Sequence, residues 1–462
     1  MNPGIKNKGG SEDNQTKLEV DFSNPKSTAK QDERCRCPIR DDPLATTETD
    51  ALLHVVKASL GSGILAMPDA FKNSGLMLGL LGTAVVAILC THGTYLIVKC
   101  SQELCYLYNK TSLGYTDTIE TAFQTSHLPG LRKCSVCARR FVSLFLFLTY
   151  YGANTIYILL IASTMQQVLH VCFQVCQNHL GVDWSTRCFM LILFVPLLPV
   201  AMVHQMKYLV PFSAVANVML LVGISLTFYV TLQDLPPMTS RPAVSKDLST
   251  LPLFFSTVLC GMEGIGTILP IENSMRNPRK LLSCPGVLNT AMIFITLLFG
   301  SIGFFGYLKF GDDVQGSVTL NMGNDILAEV VKVSIALAVF FTYALQFTAC
   351  FEVVWKAAEP HISKDRKTSV FYIIRTVLIF GTVVLGILVP QLAPVISLVG
   401  SIGFSVLGLL LPAVAETLVF WREGLGCWRW RLWKNLVLVV IAFVALFSGS
   451  SVAIRDISSN YE

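Results

Sequence analysis

Leu53-His54-Val55-Val56-Lys57-Ala58-Ser59-Leu60-Gly61-Ser62-Gly63-Ile64-Leu65-Ala66-Met67-Pro68 lies in the first apolar run of the chain. A later run carries an answering stretch, Gly264-Ile265-Gly266-Thr267-Ile268-Leu269-Pro270. Both read Gly-x-Gly, an apolar run, then Pro. Two glycines withdraw side-chain support from a helix and Pro lacks an N–H, so backbone hydrogen bonding is interrupted in both places. At membrane depth such an interruption is tolerated only where it faces protein or a water-filled cavity.

That these runs lie in a membrane follows from the composition. The 462 residues are 53% hydrophobic and 14% charged, where a soluble domain averages about 25% charge. Residues 1–50 hold eight Lys/Arg and ten Asp/Glu, so the rest is poorer still. Apolar runs long enough for a hydrocarbon core of about 30 Å fall at 51–70, 75–98, 141–169, 187–203, 209–231, 251–272, 285–307, 327–350, 370–389, 394–420 and 435–454. The reading is an all-α polytopic membrane protein of eleven spans. Its organisation is a disordered, cytosolic N-terminal tail over 1–50, a transmembrane domain over 51–455 and a short outer tail over 456–462. The net charge of +5 forms no basic stripe and gives no reason to expect nucleic-acid binding.

With the N-terminus inside, the inner loops carry eighteen Lys/Arg, from Lys99 to Lys434, and the outer loops and C-terminal tail carry six. Cytoplasmic loops retain Lys and Arg, so the chain reads N-in, with the C-terminus extracellular or lumenal. The sequons at Asn14 and Asn109 both fall on the inner side. Five spans separate the two Gly-x-Gly segments, an odd number, so the second unit enters the membrane with opposite polarity. Broken helices at matching positions of an inverted five-plus-five repeat imply a secondary transporter with its substrate site at the breaks. Gly75-Leu76-Met77-Leu78-Gly79 and Gly300-Ser301-Ile302-Gly303 read as packing motifs.

The stretch from Leu53 to Pro68, with Phe71-Lys72-Asn73-Ser74-Gly75 after it, resembles the first-helix signature of the proton-coupled amino acid transporters of the amino acid/auxin permease superfamily. Gly261-Met262-Glu263-Gly264-Ile265-Gly266-Thr267-Ile268-Leu269-Pro270-Ile271-Glu272-Asn273, Phe340-Phe341-Thr342-Tyr343-Ala344-Leu345-Gln346-Phe347 and Val395-Ile396-Ser397-Leu398-Val399-Gly400-Ser401 extend the likeness over about residues 50 to 455. The insect-type members are the most similar. The resemblance implies a leucine-transporter-like fold, a 5+5 inverted repeat plus one extra helix, and symport of a proton with a small neutral amino acid of the Gly, Ala or Pro type. Many such transporters tie two outer loops by a disulfide. Here one loop offers Cys172 and Cys176, while residues 308–326 contain no Cys, which leaves a Cys172–Cys176 pair as the local alternative.

Ionisable groups inside a bilayer cost at least about 2.5–3.5 kcal/mol and are functional candidates. His54 lies roughly 10 Å to the inner side of Gly61, and an imidazole titrates near physiological pH. It is the first candidate for proton coupling, and the resemblance points to the same position. Glu263, directly before the second break, is the other, either carrying the proton or pairing with a cation, Lys57 above all. Freed backbone groups at Ser62, Gly63, Ile64 and Leu65, and from Ser256 through Cys260 to Gly261, offer donors and acceptors for an amino acid zwitterion by analogy with the fold. Thr342 and Tyr343 are candidates to complete that site, with core packing the competing role. His92, Lys332 and Arg375 receive no role, the last two being read as charges that reach toward the interfaces.

No cofactor, resident metal or enzymatic activity is expected: there is no P-loop, HExxH or G-x-S-x-G. Cys134-x-x-Cys137 and Cys35-x-Cys37 are a thin zinc signal on a reducing side of the membrane. The partners expected are the amino acid, the proton, the lipid bilayer of a plasma or lysosomal/vacuolar membrane, and signalling proteins for the tail. The competing readings are a sodium-coupled transporter and an amino-acid-sensing transceptor with little flux.

Overall fold

The computed structural model describes residues 45–175, 185–203, 210–262, 264–323, 325–421 and 427–459. The expectations for residues 1–44, Cys176, Glu263 and the last three residues lie outside the described residues, as does the side chain of Cys172.

The described chain is helical, with a single isolated β-bridge between Thr46 and Met275. The first apolar run divides into α1 (Glu48–Ser59), α2 (Ser62–Leu65) and α3 (Met67–Ser74). There follow the long α4 (Leu76–Leu107), the short α5 (Tyr115–Thr125) and α6 (Pro129–Lys133), and then α7 (Ser135–Val175), α8 (Thr186–Ala201) and α9 (Val210–Leu232). The second interrupted run forms α10 (Leu251–Gly261) and α11 (Ile265–Ser274), with α12 (Arg279–Leu282) after it. Next come α13 (Val287–Phe310), α14 (Ile326–Ala358) and α15 (Lys367–Leu388). Then α16 (Leu392–Val399) runs through a π-helical stretch, Gly400–Leu410, into α17 (Leu411–Val419), and α18 (Trp430–Ser459) closes the molecule.

Among the described residues, nine helical segments are long and apolar enough to cross a membrane, α10 with α11 counting as one. The first run falls short because it is divided, and α8, with Pro196 and Pro199 inside, has 16 residues.

The helices sort into two groups. In one, α13 packs on α4, α3 and α1, and α10 packs on α3. In the other, α14 lies against α7 and α9, while α15 packs on α8 and α7. The rod from α16 to α17 and α18 braces both groups. Glycines let the first group close tightly. A Cβ at Gly79 or Gly303 would fall within 2.6 Å of the Phe71 ring, and one at Gly82 would lie 2.5 Å from Phe254. Phe71 and Phe254 meet edge to face with centroids 6.3 Å apart, the geometry that the ring quadrupole favours. Both small-residue motifs therefore pack rings, and Gly75 also makes the α3–α4 turn at φ 88°.

Two charges behave differently from the sequence reading. Arg375 is buried: it donates to Ala201 O at 2.6 Å and Val203 O at 2.8 Å, and its guanidinium lies 4.5 Å from the Phe351 ring centroid. It satisfies carbonyls left open at the end of α8. Lys332 is also buried, with its ammonium 2.9 Å from Glu329 Oε1 one turn earlier. Both follow from the rule that a buried charge must be paired.

Candidate functional site

A cavity lies where the two interrupted runs meet, bounded by Ser59, Gly61, Ser62 and Gly63 on one side and by Cys260, Gly261, Gly264, Gly266 and Thr267 on the other. About 80 Å³ is open to the centres of water-sized molecules, where a single water needs about 10–15 Å³. The first break forms because the Leu60 N–H folds back to Val56 O and Lys57 O, after which Gly61 extends at φ −124°, ψ −155° and starts α2 without a side-chain cap. The second forms as the Met262 N–H bonds to Val258 O, ending α10, and Gly264 starts α11, again uncapped by a side chain.

The two runs touch backbone to backbone. A Cβ on Gly63 would lie 2.3 Å from the Gly261 Cα, so no other residue fits at Gly63 without moving a helix. Behind α10, a Cβ on Gly400 would lie within 2 Å of Ser256 O, which keys the π-helical stretch onto the same segment. A π-helical stretch inside a helix often accompanies a functional site.

The facing wall comes from the second helix group. Tyr150, Ala153, Ile156 and Tyr157 of α7, Gln346 of α14 and Phe404 complete the lining. Tyr150 and Tyr157 are two turns apart and so share a helix face. Each hydroxyl addresses a different break: a Cβ on Gly61 would be 3.6 Å from the Tyr157 oxygen, and one on Gly266 would be 2.2 Å from that of Tyr150.

Of the candidate site residues, the cavity gathers Ser62, Gly63, Cys260 and Gly261. Ile64 and Leu65 are buried in the core beside it. Ser256 is fully buried one turn before Cys260, at the contact with Gly400 and Gly449, and its hydroxyl has no hydrogen-bond partner among the described residues. Thr342 returns its hydroxyl to Ala338 O at 2.8 Å, and Tyr343 points into the helix group, its hydroxyl 3.1 Å from Thr382 Oγ1. The residue of this segment that lines the cavity is Gln346, one turn after Thr342 on the same face, whereas Tyr343 lies about 100° round the helix. Tyr150, Tyr157, Gln346, Thr267 and Phe404 were not singled out by the sequence. For Gln346, its position at i+4 from Thr342 was the available signal.

The two ends of the cavity differ. On the side of α3 and α10, Met67, Ala70, Phe71, Phe254 and Val258 are all at most 1% exposed. On the side of α1 and α11, Leu53, His54, Lys57, Thr267 and Pro270 are exposed. His54 is exposed on this face and does not line the cavity. Lys57, expected beside Glu263, donates to Ser213 Oγ of α9 at 2.9 Å, and Glu263 itself is outside the described residues.

A short latch joins the same end. The Thr46 N–H donates to Ser274 O at 2.8 Å, the Arg276 N–H donates to Thr46 O at 3.0 Å, and the two hydroxyls of Thr46 and Ser274 lie 3.2 Å apart. Lys280 stands 3.8 Å from Glu48. The entry to α1 is thereby tied to the exit of α11.

An all-helical chain with a cavity between two interrupted runs has the arrangement that secondary transporters use for their substrate sites. Comparison with known proteins gives the class its family: residues 45–455 match the family described as transmembrane amino acid transporter protein, and the chain belongs to it. The Drosophila melanogaster "Proton-coupled amino acid transporter-like protein pathetic" is 41% identical over 427 residues, 92% of this chain and 88% of that one. The Caenorhabditis elegans "Probable amino acid transporter skat-1" is 27% identical over 436 residues, 90% and 91% of the two chains. A solved Na+-coupled sialic acid symporter aligns over 88% of this chain and 97% of its own, with a TM-score of 0.43 and 10% identity, too loose a likeness to carry an argument.

Proposed function

We propose that the protein is a secondary active symporter that carries a small neutral amino acid together with a proton, working by alternating access. The observation that carries this reading is the cavity held between two glycine breaks, one wall backbone and the other tyrosine. Broken helices at midplane offer N–H and C=O groups to a zwitterion. Family membership supports amino acid transport, and the fly relative, whose name describes it as proton-coupled, supports the choice of ion.

In this reading the chain makes eleven spans, the nine long segments together with the divided first run and α8, in a leucine-transporter-like 5+5 inverted repeat with α18 as the extra helix. The N-terminus is cytosolic, which puts the start of α1 and the α1–α11 latch on the cytosolic side. His54 takes and releases the proton on the exposed face of α1, near enough to Gly61 for its charge to be felt at the first break. Glu263, adjacent to the second break, is its partner in coupling. The membrane is a plasma or lysosomal/vacuolar one.

The test is uptake of labelled alanine, glycine and proline into proteoliposomes of the purified protein. An imposed proton gradient in sodium-free buffer should drive accumulation of at least one of them. Accumulation that requires sodium would transfer the reading to a sodium symporter, and binding without accumulation would transfer it to a transceptor.

A further inference from the structure

The corner between α6 and α7 presents two thiols that the cavity does not use. Cys134 caps the end of α6, and Cys137 lies in the first turn of α7. The Ala138 N–H donates to Cys134 O at 2.8 Å, which brings both cysteines onto that turn. Both are free and exposed. At 100° per residue they fall within an arc of about 80° that also holds Phe141, Leu144 and Leu148, three apolar side chains that are exposed as well. The face beside this stripe, with Val142, Leu146 and Thr149, is buried in the molecule. No Asp, Glu, Lys or Arg interrupts residues 141–169, so the exposed stripe runs into the span on its lipid side.

The neighbouring cations fix the level of the thiols. Arg139 turns aside to α5, 2.7 Å from Glu120 Oε2, whereas Lys133 and Arg140 are exposed beside the stripe. Lys and Arg gather at the cytoplasmic ends of spans, so the apolar part of α7 begins at Phe141. Cys137 stands roughly 6 Å before it along the axis and Cys134 roughly 10 Å. From Cys137 to Leu148 the stripe runs about 16 Å, a bed for one extended hydrocarbon chain.

We infer that Cys134 and Cys137 are sites of reversible S-acylation by a long-chain fatty acid, whose chain lies in the bilayer along Phe141, Leu144 and Leu148. Cysteines just outside a span are the acceptors such chains use, and basic residues beside an acyl group strengthen its hold on the membrane. The donor is a fatty acyl thioester of the coenzyme A class. The cysteine sulfur attacks its carbonyl carbon and the donor's C–S bond breaks. The acyl group passes to the cysteine as a new thioester, while the cysteine's proton leaves on the donor thiol. No oxidant or reductant is needed. The inference rests on the N-in reading, which places the start of α7 in the cytosol, and not on which amino acid or ion is carried.

The test is acyl exchange on the full chain purified from animal-cell membranes. Free thiols are blocked with N-ethylmaleimide, thioesters are cleaved with hydroxylamine, and the thiols so released take a deuterated maleimide. Cleavage after Lys133 and Arg139 isolates both cysteines in the peptide 134–139 for mass spectrometry. Deuterated label on that peptide should exceed the control without hydroxylamine at least tenfold. Cys188, an exposed thiol at the start of α8 on the outer side in the same reading, should show no such excess. A fully blocked peptide would overturn the proposal. So would equal label on Cys188, or label that appears only after a reductant, the sign of a Cys134–Cys137 disulfide. Orientation is read separately: after hydroxylamine, a membrane-impermeant maleimide should reach the peptide only once the plasma membrane of the cells has been selectively opened. Reaction before opening, or none after it, would overturn the N-in reading and this proposal together. A peptide with the expected access and no acyl label would overturn the proposal alone.

Discussion

The two walls of the cavity are built on opposite plans. The wall of the interrupted runs is nearly all backbone: Gly63 and Gly261 touch, and a single methyl group would part them. The wall of α7 and α14 is made of side chains, Tyr150, Ile156, Tyr157 and Gln346, on unbroken helices. The first wall has no slack because its neighbours are main-chain atoms. The second can yield, because its neighbours are the ends of rotatable side chains. Substitutions should therefore be graded by which wall the new atom meets, not by residue type.

The largest effect is expected at Gly63→Ala, whose Cβ meets the Gly261 Cα at 2.3 Å. Overpacking against backbone costs at least about 1–3 kcal/mol and displaces one broken helix, so transport should fall to background while total expression and tail-directed detection report whether folding survives. Close behind is His54→Ala. The residue is exposed and not in the packed core, so the expected loss is selective: uptake loses its dependence on the proton gradient while substrate binding at neutral pH is retained, as binding isotherms beside flux would reveal.

Intermediate effects belong to the wall that yields. A Cβ at Gly266 meets the Tyr150 hydroxyl at 2.2 Å, the far end of a side chain. Gly266→Ala should raise KM about tenfold, equivalent to about 1.4 kcal/mol, and Tyr150→Phe in the same chain should recover part of the loss by deleting the offending oxygen. A non-additive double-mutant cycle is the expected signature of that contact. Thr46→Pro deletes the N–H that donates to Ser274 O. Loosening the latch by about one hydrogen bond, roughly 1 kcal/mol, should free the α1–α11 end and show as faster alkylation of Cys260.

The smallest effect is expected at Gly61→Ala. Its Cβ has 3.6 Å of room to the Tyr157 oxygen, and its φ of −124° suits any residue, so uptake should change less than about threefold, within roughly 0.6 kcal/mol. Equal damage at Gly61 and Gly63 would break the comparison between the walls.

The same contrast explains what the sequence made legible. Gly61, Gly63, Gly264, Gly266 and the prolines that follow announce interrupted helices locally, because backbone demands are written in the residues that meet them. The apolar runs announced the long helices for the same reason. Tyr150 and Tyr157 carried no such mark: α7 is 41 residues long and apolar nearly all round, so its cavity face is not set off from its other faces. Which residue of span eight faces the cavity depended on helix rotation, and Tyr343 and Gln346 differ there by less than a turn. The burial of Arg375 and Lys332 was not legible because their partners, the carbonyls at the end of α8 and Glu329, depend on how the helices pack.

The central claim is that the amino acid occupies the space between the two breaks. Cys260 lines that cavity, whereas Cys134 is an exposed free thiol remote from it in the fold. The direct measurement is the rate of thiol alkylation at each cysteine, read by mass spectrometry on the full protein in vesicles, with and without saturating alanine, glycine or proline. Protection of Cys260 by the transported amino acid, with Cys134 unaffected, is the result the account predicts. Equal alkylation of Cys260 in the presence and absence of every amino acid that the protein accumulates would contradict it.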